Sequence, residues 1–204
     1  MQNLHPPGGM AAYLEFRDRM TEPPRHAFTE KDFPSLVKQH QSLVFSLAYH
    51  FLRDAALAEE LAQEVFMQLH RDLRSLESEQ HVEYWLKRVT MHRAIDYGRR
   101  QQRERRLIPL DNAPELSTPP RTSDPLLSES LRKLVAALPE RLRAIVILRF
   151  QEDLDPTEIA RILDMPVNTV KSRLHRSLEF LRRKLERTQT ASVHAVRQGS
   201  EAQL

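Results

Sequence analysis

The stretch from Asp155 to Pro166 constrains the fold most tightly, because it starts a helix, ends it and starts another within one short run. Asp155 can accept hydrogen bonds from unpaired backbone N–H groups, Pro156 suits a first helical position, and Glu158 stands where a capping box closes. Ile159, Ile162 and Leu163 then recur at helical spacing, with Ala160 keeping the inner face small. Asp164 tolerates a left-handed conformation, and Pro166 cannot continue the earlier ladder but can open a new helix. In that second helix Val170, Leu174, Leu178, Leu181 and Leu185 form an apolar stripe. Asn168, Thr169, Lys171, Ser172, Arg173, His175 and Arg176 lie off it, near the helix start. A short helix, a tight turn and a helix led by polar and cationic donors make a helix-turn-helix, whose second helix enters the major groove N-terminus first. The bland alternative is a helical hairpin with a solvated basic face.

Charge must be read by position. The net charge is only +3 although the pI is about 9.4. From Lys171 to Arg187 there are seven Lys or Arg against two Glu, and from Arg99 to Arg106 five Arg against one Glu. Both runs are candidate phosphate-contacting surfaces, with a plain solvated face as the bland alternative. The chain has no cysteine, which excludes disulfides, thiolate metal sites and cysteine nucleophiles. No apolar run has membrane-spanning length, and the N-terminus lacks a basic-then-apolar leader pattern, so a cytoplasmic protein without direct membrane insertion is expected.

The order of segments predicts an all-α protein: two small helical domains joined by a Pro-rich flexible linker, the second domain a helix-turn-helix. Residues 1–28 are rich in breakers (Pro6-Pro7-Gly8-Gly9, Pro23-Pro24) and read as a disordered extension. Residues 29–106 read as the first domain. A helix over Phe33–Leu52 is broken at Arg53-Asp54, and a second runs from about Ala56 to Leu73. The outer face of that second helix carries Glu59, Glu60, Gln63 and Glu64, a sign unsuited to nucleic acid; it reads either as a solvated face or as a docking surface for a basic protein. A polar loop over Ser75–His81 precedes a long helix from Val82 to about Arg105. There Lys87, Arg88, His92, Arg93, Arg99 and Arg100 interleave with Trp85 and Tyr97, a mixture that suits single-stranded DNA. Trp85 reads as a core anchor, and Gly98 as a local bend. Residues 107–127 hold five prolines without a period, a linker able to span roughly 60–70 Å. Residues 128–187 form the second domain, with Leu142, Ile145, Val146, Leu148 and Phe150 directed inward ahead of the helix-turn-helix, and residues 188–204 read as a flexible tail.

Four motifs carry a resemblance: Ala58-Glu59-Glu60-Leu61-Ala62-Gln63-Glu64-Val65-Phe66; Trp85-Leu86 with Asp96 and Arg99-Arg100; Leu138-Pro139-Glu140-Arg141; and Glu158-Ile159-Ala160 with Pro166 and Thr169 through Arg176. In this order the chain resembles bacterial alternative sigma factors of the extracytoplasmic-function (ECF) type, from about Phe33 to Leu185. The resemblance implies a specificity subunit that binds core RNA polymerase, directs it to promoter DNA and helps melt it. The first domain would be sigma domain 2, with Glu60, Gln63 and Glu64 docking on the polymerase. Its loop and following helix, with Leu76, Lys87, Arg88, His92, Arg93, Asp96, Tyr97, Arg99 and Arg100, would capture unpaired minus-ten bases. The second would be domain 4, reading the minus-thirty-five duplex. An anti-sigma factor is the further partner the resemblance implies.

Two departures fall on the minus-ten reader. Leu76-Glu77-Ser78 replaces a Phe-Arg-Gly-like segment, and His92 stands where many members have Asn. Two other functions stay open at this level: a sigma-like decoy that sequesters an anti-sigma factor, and a stand-alone helix-turn-helix regulator. A decoy has no need of Lys171, Arg173 and Arg176, and a stand-alone regulator leaves the acidic helix unexplained. An enzyme is not expected, since no His-Glu-x-x-His, Gly-x-Ser-x-Gly or phosphate-loop pattern is present. No cofactor, metal or small-molecule substrate is called for.

Overall fold

The computed structural model describes residues 28–107 and 129–201, with side chains for 28–101, 103 and 131–185. Almost all of the expected N-terminal extension and linker lie outside these residues. Among the described residues there are seven α-helices and no strand.

Helix α1, Phe33–Leu52, begins after a turn in which Thr29 donates its N–H and its hydroxyl to the Asp32 carboxylate, both at 2.8 Å. It ends where Arg53 turns left-handed (φ 61°) and donates its N–H to the Tyr49 carbonyl at 2.8 Å. Asp54 then caps α2, Ala55–Asp72, by accepting from the Leu57 N–H at 3.1 Å. Only two residues separate the helices, so they run back on each other, and Leu36, Val44, Leu47 and Phe51 are buried with Ala58, Leu61, Val65 and Leu69. A 3₁₀ turn at Leu73–Ser75 leads to α3, Glu79–Leu107. The polar loop expected over Ser75–His81 is thus only three residues long. Ser78 caps α3 by accepting the His81 N–H at 3.2 Å.

The second half contains α4 (Glu129–Ala136), α5 (Glu140–Phe150), α6 (Pro156–Ile162) and α7 (Val167–Glu201). The capping box at α6 is complete: Asp155 accepts from the N–H groups of Thr157 (2.6 Å) and Glu158 (2.9 Å), and Glu158 accepts from the Asp155 N–H (2.7 Å). Asp164 is left-handed in the turn (φ 53°). Helix α7 continues past Arg187, where a flexible tail was expected, because no proline interrupts it before Glu201.

Two inward assignments are corrected. Phe150 is 58% exposed at the end of α5, and Leu178 is 41% exposed on α7, where Ser177 is buried instead and donates its hydroxyl to the Arg173 carbonyl at 2.8 Å. The two helical domains also meet in the structure. They share one core: Phe51, Leu47 and Leu86 of the first belong to the same buried cluster as Ile145, Leu148, Ile159 and Ile162 of the second. Helix α5 packs on α1 and α3, and α6 packs on α3. Gly98 marks this close approach and no bend in the assigned helix; a Cβ there would lie 3.2 Å from Glu140 Cγ and 3.3 Å from Phe51 Cε1.

Candidate nucleic-acid and polymerase interface

The first residues of α7 are displayed by the helix-turn-helix as its capping predicts. Val170 is buried and anchors the helix, while Asn168, Lys171, Ser172, His175 and Arg176 are exposed; Thr169 and Arg173 are half-buried. Ser172 donates its hydroxyl to the Thr169 carbonyl at 3.1 Å, and Arg173 lies with Nη1 3.8 Å from Met165 Sδ. His175 Nε2 stands 3.4 Å from Glu179. Lys171, His175 and Arg176 thus present donors to solvent on one side of a helix fixed by its buried side. Such a surface fits the acceptor-rich edge of a DNA major groove.

The residues expected to face single-stranded DNA divide into three groups. Leu76 is wholly buried and belongs to the core, so its side chain is not on a strand-facing surface. Lys87, Arg88 and His92 point at the second half of the chain. Lys87 Nζ sits 2.7 Å from Glu83 and 3.2 Å from Glu152, and only 8% of the residue is exposed. Burial opposes its charge, but the two carboxylates outweigh burial and raise its pKa above the ordinary value. Arg88 donates to the Arg161 carbonyl at 2.9 Å and lies 3.9 Å from Asp164. His92 Nε2 is 3.0 Å from the Ile162 carbonyl, and burial lowers its pKa despite that contact. The third group lies elsewhere on α3. Arg93 is tied to α2 through Glu64 and through Gln68 at 2.8 Å. Asp96 and Arg99 are 3.8 Å apart, Tyr97 is half-buried and Arg100 is exposed.

Tyr84 was absent from the expected set. Its hydroxyl donates to the Arg161 carbonyl at 3.0 Å, and burial raises its pKa. Its spacing was a usable signal, for Tyr84, Arg88 and His92 stand four residues apart on one face of α3.

Glu60, Gln63 and Glu64 are exposed on α2, as a docking face requires, although Glu64 is shared with Arg93. Beside Gln63 runs a groove of about 1000 Å³ between α1 and α2. Its floor is apolar (Phe33, Val37, Phe45, Phe66), and Met67 is 64% exposed at its edge. The hydrophobic lining had no counterpart in the sequence reading, which weighed only the charges of this face. Among the described residues no group of His, Asp or Glu is placed to hold a metal ion, and no helix is long and apolar enough to cross a membrane.

Comparison with known proteins gives this geometry a family. The family model described as Sigma-70 region 2 matches residues 36–104, and that described as Sigma-70, region 4 matches residues 128–181. The ECF RNA polymerase sigma-E factor of Escherichia coli (strain K12) is 32% identical over 169 residues, covering 77% of this chain and 88% of that protein. The ECF RNA polymerase sigma factor SigE of Mycolicibacterium smegmatis is 34% identical over 152 residues, covering 72% of this chain and 59% of that protein. Among solved structures, the sigma factor RpoE in complex with the anti-sigma factor NepR from Bartonella quintana superposes with a TM-score of 0.61 at 21% identity, covering 76% of this chain and 98% of that one. CnrH in complex with the cytosolic domain of CnrY gives 0.55 at 17% identity, covering 78% and 90%. At such identities these structures speak for the fold. The two family models and the sequence relatives together show that the chain belongs to the ECF RNA polymerase sigma factor family.

Proposed function

We propose the following division of labour within this alternative sigma factor. Residues 29–106 act as domain 2 and residues 128–187 as domain 4. Glu60, Gln63 and Glu64, with the apolar groove beside them, dock on core RNA polymerase. The face of α3 that carries Lys87, Arg88 and His92 captures the unpaired minus-ten strand, and Arg99 and Arg100 hold its phosphates. The start of α7 reads the minus-thirty-five duplex through Asn168, Thr169, Lys171, Ser172, Arg173, His175 and Arg176. The carrying observation is the α6–α7 unit, whose complete capping box and buried Val170 hold Lys171, His175 and Arg176 toward solvent.

The work is binding rather than catalysis. Strand melting draws on the free energy with which extruded bases are held, against a few kcal/mol per base of lost pairing and stacking. The protein acts in the cytoplasm, where polymerase and promoter are, and an anti-sigma factor, as is bound to RpoE, regulates it. Reconstitution with core polymerase tests the reading. Promoter-specific initiation on genomic DNA is the expected outcome. Sequestration of an anti-sigma factor without any initiation would favour a decoy, and duplex binding without polymerase association a stand-alone regulator.

A further inference from the structure

Arg173 lies about 9 Å along the axis of α7 from Val167, where that helix begins. A recognition helix enters the groove with its first residues, so an arginine at this depth meets base edges only if its side chain runs back toward the helix start. It does so here. Its Nη1 donates to the thioether of Met165 at 3.8 Å, and Met165 stands before the helix, in the turn. The turn fixes Met165 from both sides. Asp164 is left-handed (φ 53°), and the Met165 N–H donates to the Ala160 carbonyl at 3.0 Å. Pro166 follows, accepting from the N–H groups of Thr169 and Val170. The Met165 side chain packs against the buried core and also receives Arg173.

The chemistry of the partner matters. A thioether is a polarisable but weak acceptor, so it can orient a guanidinium without neutralising it. A carboxylate would hold the arginine more firmly, as Glu64 holds Arg93, but would then compete with DNA. Among the described residues no carboxylate lies within ion-pair distance of Arg173. Lys171 and Arg176 are exposed, whereas Arg173 is half-buried. Arg173 is thus ordered with its charge uncompensated, and ordering a long side chain beforehand reduces the entropy lost on binding. Resting on the reading of α7 as the minus-thirty-five reader, we propose that Met165 is a positioning residue for that reader. It holds the Arg173 guanidinium at the leading end of α7, aimed at the O6 and N7 acceptors of one guanine. Exposed Lys171 supplies attraction to any duplex; Arg173, through Met165, discriminates one base pair.

The full chain, reconstituted with core polymerase, is given a promoter that it uses on genomic DNA, with the upstream element randomised, and the best-bound duplex is chosen. Competition binding then compares that duplex with each of its single base-pair replacements. The parent should disfavour loss of one G·C pair by at least about fivefold, and Arg173→Ala should lose that preference. Met165→Leu keeps the packed volume but removes the acceptor, and should reduce the preference several-fold at that pair and at no other. Met165→Gln, which keeps an acceptor at similar length, should retain most of it. In the Arg173→Ala background Met165→Leu should change nothing, whereas a residue that only supports the fold would weaken binding in either background. Equal loss in the leucine and glutamine variants, uniform weakening on every duplex, or the same loss without Arg173 would each overturn the proposal. If Arg173→Ala loses the preference and Met165→Leu keeps it, the role of Met165 falls and the duplex reading stands. If Arg173→Ala itself keeps every preference, the reading of Arg173 as a base contact falls and takes the role of Met165 with it.

Discussion

Lys87 and Glu152, brought together from the two halves of the chain, form an ion pair of 3.2 Å with side chains only 10% and 13% exposed. Such a pair loses most of its hydration, and the Coulomb attraction repays this only while both partners are present. Glu83 at 2.7 Å supplies a second carboxylate, so Lys87 is not stranded when Glu152 is lost. Glu152→Gln should destabilise the protein by roughly 1–3 kcal/mol. Lys87→Met should cost a similar amount by leaving Glu152 without its cation. The double variant should cost less than the sum, with a coupling of about 0.5–3 kcal/mol. Urea unfolding of the four proteins gives this cycle, and strict additivity would show that the pair contributes nothing across the contact.

Acidification should destabilise the fold through buried histidines. Burial is the largest influence on His40, His81 and His92, and each has its pKa lowered from the ordinary 6.5. A histidine with a lowered folded pKa stays neutral in the native state while the unfolded chain takes up a proton near 6.5. Its contribution to stability is full above that value and falls as pH drops below it, until the folded group also titrates. Thermal midpoints should therefore fall between about pH 7.5 and about pH 5.5. His40 Nε2 has no hydrogen-bond partner, so His40→Leu should flatten this dependence and leave stability at neutral pH equal or higher. An unchanged slope in the variant would assign the acid sensitivity to other groups.

The cap of α6 gives a prediction confined to the duplex reader. Asp155→Ala removes the acceptor for two N–H groups and should cost about 1 kcal/mol. The Asp155 pKa is lowered, first by the hydrogen bond from the Glu158 N–H. Its stabilising contribution is thus present above the ordinary carboxylate pKa and is lost as pH falls through the lowered value, below the histidine window. Hydrogen exchange should show the loss in α6 and the first turns of α7, with α1 and α2 protected as before. Uniform loss of protection would mean that the cap supports the whole fold.

Much of this architecture was legible because local chemistry marked it. The Arg53-Asp54 break bounded α1, and the Asp155-Pro156-Thr157-Glu158 run located the helix-turn-helix. Leu178 was misassigned for a geometric reason. A strict four-residue repeat advances about 400° on a helix of 3.6 residues per turn, so the buried face drifts from Leu174 to Ser177 and Leu181. Leu76 was hidden in a polar stretch, where its burial depends on helices distant in sequence. The contact of α3 with α6 left almost no trace in residue types, since its acceptors are main-chain carbonyls of Arg161 and Ile162 that any residue would provide.

The proposed duplex reader separates by salt and by sequence. Arg173→Ala with Arg176→Ala should abolish promoter selection while leaving polymerase binding nearly intact. Exposed Lys171 is the phosphate candidate, so Lys171→Ala should weaken binding to all duplexes alike and reduce the slope of log affinity against log salt by about 1. Fluorescence anisotropy across a salt series on promoter and scrambled duplexes distinguishes these effects. Equal loss on both duplexes in the arginine variant would remove Arg173 and Arg176 from base readout.

Polymerase docking is best tested at Glu60 rather than Glu64. Glu64 also holds Arg93 against α2, so reversing its charge repels a neighbour inside the domain and confounds folding with binding. Glu60 is exposed one turn earlier on the same helix. Glu60→Lys should weaken association with core polymerase by on the order of tenfold, mostly through slower association that depends on salt. Met67→Ser, at the edge of the neighbouring apolar groove, should instead speed dissociation with little salt dependence, because it removes apolar area from a contact already formed. Surface-plasmon kinetics at two salt concentrations resolve the two contributions. A loss confined to Met67→Ser would move the docking surface from the acidic face of α2 into the groove, and unchanged kinetics in both would place it outside this pair of helices.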